Sequence, residues 1–274
     1  MAHRRIGIIV HFVDTHCHLN LEQFQENINQ VVERAQVAGV NKIVVPGIDI
    51  ETSRKAVDLA KKFDSIYAAV GTHPNDVDKF DDNQVKIYED LLKEQKVVAI
   101  GEVGLDYYHH PENAVLQNKV LDIMLSLAAN YQKPVILHSR NSLVELMSKV
   151  KHWIMQQELL SDHFYGVFHG FEGTATQVKE IESMKMLIGI GGPVTFKNAI
   201  DKQILVEEVG LNSLVLETDS PLLSPHPFRG KTNEPFRIPV IAEKIASILQ
   251  LPIEIVSEIT NQNAQSIFRW DEIN

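Results

Sequence analysis

The 274-residue chain has one cysteine, Cys17. A lone thiol cannot build a disulfide framework within the chain, and a chain of this length buries enough core to need none, which fits a reducing compartment. Aromatic residues make up only 7%, which implies no broad base-stacking platform. Excess positive charge is also missing. Lys and Arg total 26 against 36 Asp and Glu, a formal charge of −10. Such a chain is no general nucleic-acid coat, because cations neutralising phosphates dominate that kind of binding. It can still process nucleic acid where metals and a few local cations supply positive charge. No apolar run approaches the ~20 residues of a membrane span. Residues 1–13 carry basic residues and a short apolar run, then pass into Asp14-Thr15-His16-Cys17-His18 with no small-residue cleavage site. This reads as a first strand, not a secretion signal. The expectation is a cytoplasmic monomer with no membrane contact.

What is present is a repeated alternation. About eight short, β-rich apolar runs recur: Ile8–Val13, Ile43–Pro46, Ile66–Val70, Val97–Ile100, Val135–Leu137, Tyr165–Phe168, Leu187–Ile190 and Leu214–Leu216. They are nearly continuous in hydrophobicity, as strands covered on both faces are. Amphipathic stretches lie between them, marked by Val31, Val32, Ala35 and Ala38, then by Ala56, Leu59, Ala60 and Phe63. Further stretches carry Leu121, Leu125, Ala128 and Ala129, then Ile241, Ile245 and Ile248, and 257–268 reads as a final helix. Strand followed by helix, repeated, means parallel βαβ units. Eight units predict a single-domain (β/α)8 TIM barrel with its core at about residues 12–268; a doubly wound sheet is the alternative. No linker, low-complexity stretch or repeat divides the chain.

Barrel active sites form at the carboxyl ends of strands. The first run ends in Asp14-Thr15-His16-Cys17-His18, the third in Gly71-Thr72-His73-Pro74 and the fourth in Gly101-Glu102-Val103-Gly104-Leu105-Asp106. The fifth ends in His138-Ser139-Arg140, the sixth in His169-Gly170-Phe171 and the eighth in Glu217-Thr218-Asp219-Ser220-Pro221. His16 and His18 are two apart on a strand, so they share a face, while Cys17 points away as a core thiol. Imidazole and carboxylate ligate zinc and similar ions. His16, His18, Glu102, His138, His169 and Asp219 exceed the four ligands of one tetrahedral site. Six fit two divalent ions with Glu102 as bridge and open positions for water. His16, His18 and Asp219 are expected around one ion, His138 and His169 around the other. Zinc, magnesium, manganese and nickel all suit such ligands.

Asp14 shares the His16 face, where it either orients a ligand or makes an ordinary buried hydrogen bond. Glu217, two before Asp219, reads as a supporting or structural acid. His73 is placed either to touch substrate or leaving group or to serve as a turn histidine. Arg140, two beyond His138, either clamps an anion or makes a surface salt bridge. Arg229 and Lys231 put cations at the barrel mouth as phosphate anchors, unless they are merely solvated. Tyr107, Tyr108 and Phe228 are stacking candidates. Gly189-Ile190-Gly191-Gly192-Pro193 lacks a following Gly-Lys-Ser/Thr and so is a packing turn, not a Walker loop.

These motifs, in order over nearly the whole chain, resemble the TatD family of metal-dependent hydrolases, a branch of the amidohydrolase-type barrels. The match extends through His169-Gly170-Phe171-Glu172-Gly173 and Arg229-Gly230-Lys231-Thr232-Asn233-Glu234-Pro235. The stretch before Asp14 is longer than the family's. The resemblance implies a barrel with divalent metals, ligands at the six positions above, and deoxyribonuclease or related phosphoesterase activity on DNA or another nucleic acid. In the expected reaction a water or hydroxide held by the ions attacks phosphorus. Catalytic roles fall to Glu102, bridging the ions, and Asp219, taking the water proton. An amide, lactone or ester hydrolase, including a D-aminoacyl-tRNA deacylase-like activity, uses the same ligands and is the alternative. A non-catalytic metal-stabilised binding module would instead have a closed site. A Schiff-base aldolase would need a strand-end lysine, and none is present.

Overall fold

The computed structural model describes residues 10–157 and 164–272. The apolar runs become strands β1 (Phe12–Asp14), β2 (Val40–Pro46), β3 (Ile66–Val70), β4 (Val97–Asp106), β5 (Val135–Arg140), β6 (Gly166–Phe168), β7 (Met186–Ile190) and β8 (Leu214–Leu216). Neighbours in sequence pair in parallel, from β1 through β8. The ring closes at the mouth. Thr15 N donates to Leu216 O (3.0 Å), Asp219 N to His16 O (2.9 Å) and His18 N to Ser220 O (2.8 Å). That closure excludes the doubly wound alternative.

Helices α1 (Ile28–Val37), α2 (Ile50–Lys62), α3 (Gln84–Leu91), α4 (Ala114–Asn130), α5 (Leu143–Met155), α6 (Ala175–Ser183), α7 (Ile200–Val209), α8 (Ile238–Leu249) and α9 (Ile253–Phe268) surround the sheet. Capping boxes begin two of them, Asp49 with Thr52 and Thr174 with Gln177, satisfying orphan N–H groups of the first turn. None of the described helices is long and apolar enough to cross a membrane.

Strand alternation splits the core in two. Val13, Val44, Ala69, Ala99, Ile136, Val167, Leu187 and Val215 fill the barrel interior, closed off by Ile267, Phe268 and Trp270. Ile43, Val45, Ile66, Leu137, Ile188 and Leu216 point outward to the helices. Small alanines face inward on adjacent strands because the barrel axis is crowded.

Six of the eight expected runs change in extent: β2 begins earlier, at Val40, β5 continues to Arg140, and β6 and β7 shift by one residue at their starts. The run 8–13 begins in residues outside those described, and β1 spans Phe12–Asp14. The run expected at 97–100 continues to Asp106, because 103–106 pair with 137–140 of β5. Its added polar residues reach the mouth, where other polar groups meet them.

Candidate metal centre at the barrel mouth

Strict alternation stops at the bend at Thr15, just past β1; beyond it His16 and His18 turn into the mouth and Cys17 packs in the helix-facing core. The two imidazoles bring their Nε2 atoms to 3.0 Å from each other. From β4, Glu102 reaches the same point. Its Oε2 lies 3.2 Å from His16 Nε2 and 3.4 Å from His18 Nε2. Asp219 Oδ1, just past β8, lies 3.6 Å from His18 Nε2 and 3.9 Å from His16 Nε2. Asp219 sits in the left-handed region at φ 55°, a conformation aspartate tolerates better than most side chains.

The other oxygen of Glu102 faces a second set. Its Oε1 lies 3.0 Å from His138 Nδ1, 3.6 Å from His73 Nε2 and 3.7 Å from His169 Nε2. One buried carboxylate thus lies between two groups of imidazole nitrogens. All six residues read from the sequence as ligands converge, and His73 joins them.

The donor set fits divalent ions. Atoms bound at ~2.1 Å to a tetrahedral ion stand about 3.4 Å apart. Five of the six separations among His16 Nε2, His18 Nε2, Glu102 Oε2 and Asp219 Oδ1 run from 3.0 to 3.9 Å. Two imidazole nitrogens so close cannot both aim lone pairs at the same point unless a proton or cation sits between them. The electrostatics agree. Burial alone would raise the Glu102 carboxyl, yet His16, His73 and His169 hold it well below the carboxylate range. Burial opposes charge on His169, yet Glu217 and Glu102 push its pKa up to about 10. The carboxylates therefore draw positive charge into a site whose ion-pair contacts, among the described residues, include no lysine or arginine.

Supporting contacts fix the rings. His138 Nε2 lies 3.3 Å from Asp106 Oδ2, which directs His138 Nδ1 at Glu102. His169 Nδ1 lies 3.2 Å from Glu217 Oε1, an ion-pair contact without hydrogen-bond alignment. Glu217 Oε1 also accepts from Gly170 N at 2.7 Å. Gly189 makes room for Glu217, since a Cβ there would fall 2.1 Å from Oε2. His73 Nδ1 accepts from Asn75 N at 3.1 Å. In its neutral form the proton then sits on Nε2, which stands 3.6 Å from Glu102 Oε1, beyond hydrogen-bond distance. Burial, the largest influence, pushes its pKa down to about 3.

Asp14 makes the ordinary buried hydrogen bonds. It accepts from His16 N (3.3 Å), Thr218 N (3.0 Å) and Thr218 Oγ1 (2.5 Å), tying β1 to the end of β8. Burial pushes its carboxyl up to about 8. Arg140 pairs with Glu172 at 2.5 Å and lies over the Tyr108 ring. Phe228 packs under the Arg237 guanidinium, and Tyr107 donates to Glu145 at 2.9 Å. Arg229 and Lys231 are exposed on the loop after β8. Sequence reasoning missed Asp106. The available signal was its position four residues after Glu102, on the same face of β4.

A closed α/β ring that gathers imidazoles and carboxylates at its carboxyl mouth defines a metal-dependent hydrolase barrel. The particular family follows from the sequence: the model described as TatD related DNase matches residues 13–269, and the chain belongs to that family. It is 38% identical over 256 residues to the metal-dependent hydrolase YabD of Bacillus subtilis (strain 168), covering 93% of this chain and 98% of that protein. It is 31% identical over 263 residues to the 3'-5' ssDNA/RNA exonuclease TatD of Edwardsiella piscicida, covering 94% and 99%. Among solved structures, the TatD homologue YjjV of Escherichia coli K12 matches with a TM-score of 0.88 at 31% identity, covering 96% and 99%.

Proposed function

We propose that the protein hydrolyses phosphodiester bonds of single-stranded nucleic acid, using two divalent ions, in the cytoplasm. The observation that carries this reading is the two-sided engagement of Glu102. One oxygen faces His16, His18 and the Asp219 side; the other faces His73, His138 and His169. The activity of the exonuclease relative and the family description support the phosphodiester over an amide or lactone. A single buried thiol fits a reducing compartment.

His16, His18 and Asp219 would hold one ion, His138 and His169 the other, with Glu102 shared between them. Bound there, the ions supply Lewis acidity toward phosphate oxygens and lower the pKa of water. The chain's own residues do the rest. Asp219 is 14% exposed, against 1% for His16, 9% for His18 and 3% for Glu102. It therefore meets solvent at the open side, and its carboxylate takes the proton of the attacking water. Asp106 and Glu217 orient the His138 and His169 rings. His73, held as the Nε2–H form, donates a hydrogen bond to an oxygen of the substrate phosphate.

The test is metal content of the purified protein, with cleavage of single-stranded DNA before and after chelation. About two ions per chain, with cleavage lost on chelation and restored by added ion, is the expected result. Metal bound but DNA untouched, with turnover on an amide or lactone, overturns the phosphodiesterase reading.

A further inference from the structure

The loop joining β8 to α8 builds a pocket that the metal cluster does not use. It is a cavity of about 480 Å³ between this loop, Gln23 beyond β1 and Phe196 beyond β7. Pro221, two residues past Asp219, forms part of its wall, so the cavity adjoins the His16, His18 and Asp219 half of the centre. Arg229 and Lys231 line it, and no carboxylate does. Among the described residues neither cation makes an ion pair, in a chain of net charge −10. Arg140, the cation on the other side of the mouth, is already neutralised by Glu172. The larger groove beside His169, about 820 Å³, is lined by Glu145 and Glu172, and its Lys149 is paired with Asp122. Arg229 and Lys231 thus leave unneutralised positive charge on the β8 side of the mouth.

The pocket is preorganised. The Arg229 guanidinium lies 4.2 Å over the Phe196 ring, which fixes its plane and leaves its N–H donors for an anion. The loop beneath is tied down from within. Buried Arg237 donates to Thr232 O (2.7 Å) and Ser224 Oγ (2.9 Å), Ser224 Oγ donates to Lys231 O (2.5 Å), and buried Asn233 donates to Thr218 O (2.9 Å). At Gly192 a Cβ would fall 2.0 Å from Leu223 O, so the turn leading to Phe196 is locked against the same loop. Leu222 and Leu223 stand exposed at the rim, at 61% and 46%. Cations beside apolar surface match a nucleotide, which offers a phosphate and a base together.

We propose that this pocket is a phosphate subsite, receiving the backbone phosphate next to the scissile bond of a nucleic-acid strand. The inference rests on the phosphodiesterase reading above. Arg229 takes the phosphate in its fork, Lys231 adds a point charge, and the exposed leucines carry the adjoining base.

The experiment measures binding of a fluorescent phosphorothioate oligothymidylate to the metal-loaded protein across a salt series. Single strands give a slope of about 0.7 per neutralised phosphate in log Kobs against log salt. The double variant Arg229→Gln, Lys231→Gln should reduce the slope by about 0.7 and bind roughly fourfold more weakly at 0.15 M salt. A control, Lys61→Gln with Lys93→Gln, removes equal charge near the C-terminal ends of α2 and α3, on the far face, and should leave the slope unchanged. Thymidine 5'-monophosphate should compete far more weakly than a pentanucleotide. Equal competition overturns the strand assignment in favour of a small phosphorylated substrate. Unchanged slope and affinity in the double variant, with the wild type binding and cleaving DNA, overturns the subsite alone. A wild type that binds no strand at any salt overturns the underlying reading as well.

Discussion

Replacing Asp106 by asparagine tests whether the supporting shell sets the metal centre. The Asp106 side chain is fully buried and accepts four hydrogen bonds. Oδ1 takes Tyr108 N (3.0 Å) and His109 N (2.9 Å); Oδ2 takes His109 Nδ1 (2.7 Å) and His138 Nε2 (3.3 Å). Burial alone would raise this carboxyl, but its bonds with His138 and His109 hold it below the usual range. In the amide, the oxygen stays on the two backbone donors and the NH2 faces the two imidazoles. His138 can accept from that group only by moving its proton to Nδ1. That atom lies 3.0 Å from Glu102 Oε1 and is the one turned to the centre. The lone pair for the ion is then lost. Ring-orienting partners of this kind are worth about 10- to 100-fold in metal affinity, or about 1.4 to 2.7 kcal/mol. Competition against a chelating dye should show one ion weakened by that factor and the other, at His16 and His18, nearly unchanged. Urea unfolding of the metal-free variant reports any purely structural loss separately. A folded Asp106→Asn protein that binds both ions with wild-type affinity refutes the tautomer argument.

Other substitutions probe other layers. Glu102→Ala should abolish binding of at least one ion and lower turnover by orders of magnitude; elemental analysis beside a DNA cleavage assay checks it, and a variant with full metal content and turnover sinks the shared-carboxylate scheme. Gly189→Ala sets a Cβ 2.1 Å from Glu217 Oε2, so it should displace that carboxylate from His169. A loss of about 1–3 kcal/mol in urea unfolding is the expected cost of the overpacking, together with weaker metal binding. Trp270→Ala empties the closed end of the barrel, where Trp270 is 4% exposed against Phe268. It should destabilise the protein by about 3–5 kcal/mol while leaving metal affinity unchanged, because the plug lies at the end opposite the centre.

Much of the site was legible because strand geometry is local. Alternation places His16 and His18 on one face and Cys17 on the other, and the barrel rule gathers the ends of separate strands at one mouth. The roles of individual groups were less legible. Asp14 was expected on the His16 face, but within β1 it alternates with the inward-facing Val13, and its bonds go to the backbone of His16 and to Thr218, 204 residues away. His73 sits in a turn, as its neighbour Pro74 suggests, and also against the shared carboxylate. No local pattern tells which cation meets a carboxylate. Arg140 and Arg229 look alike in sequence, yet one is neutralised by Glu172 and the other stacks on Phe196.

Residue order alone was enough for the alternation of strand and helix and for the donor types at the strand ends, whereas closure into a ring rather than an open sheet was settled by the packed fold. The first two follow from hydrophobic periodicity and covalent geometry, which act over a few residues. The tertiary structure alone decided which nitrogen of each imidazole faces the centre, that Glu102 lies between two donor sets, and where positive charge stays unpaired. Those outcomes depend on hydrogen bonds and ion pairs between elements tens to hundreds of residues apart, and only the packed fold brings such groups within 3 to 4 Å.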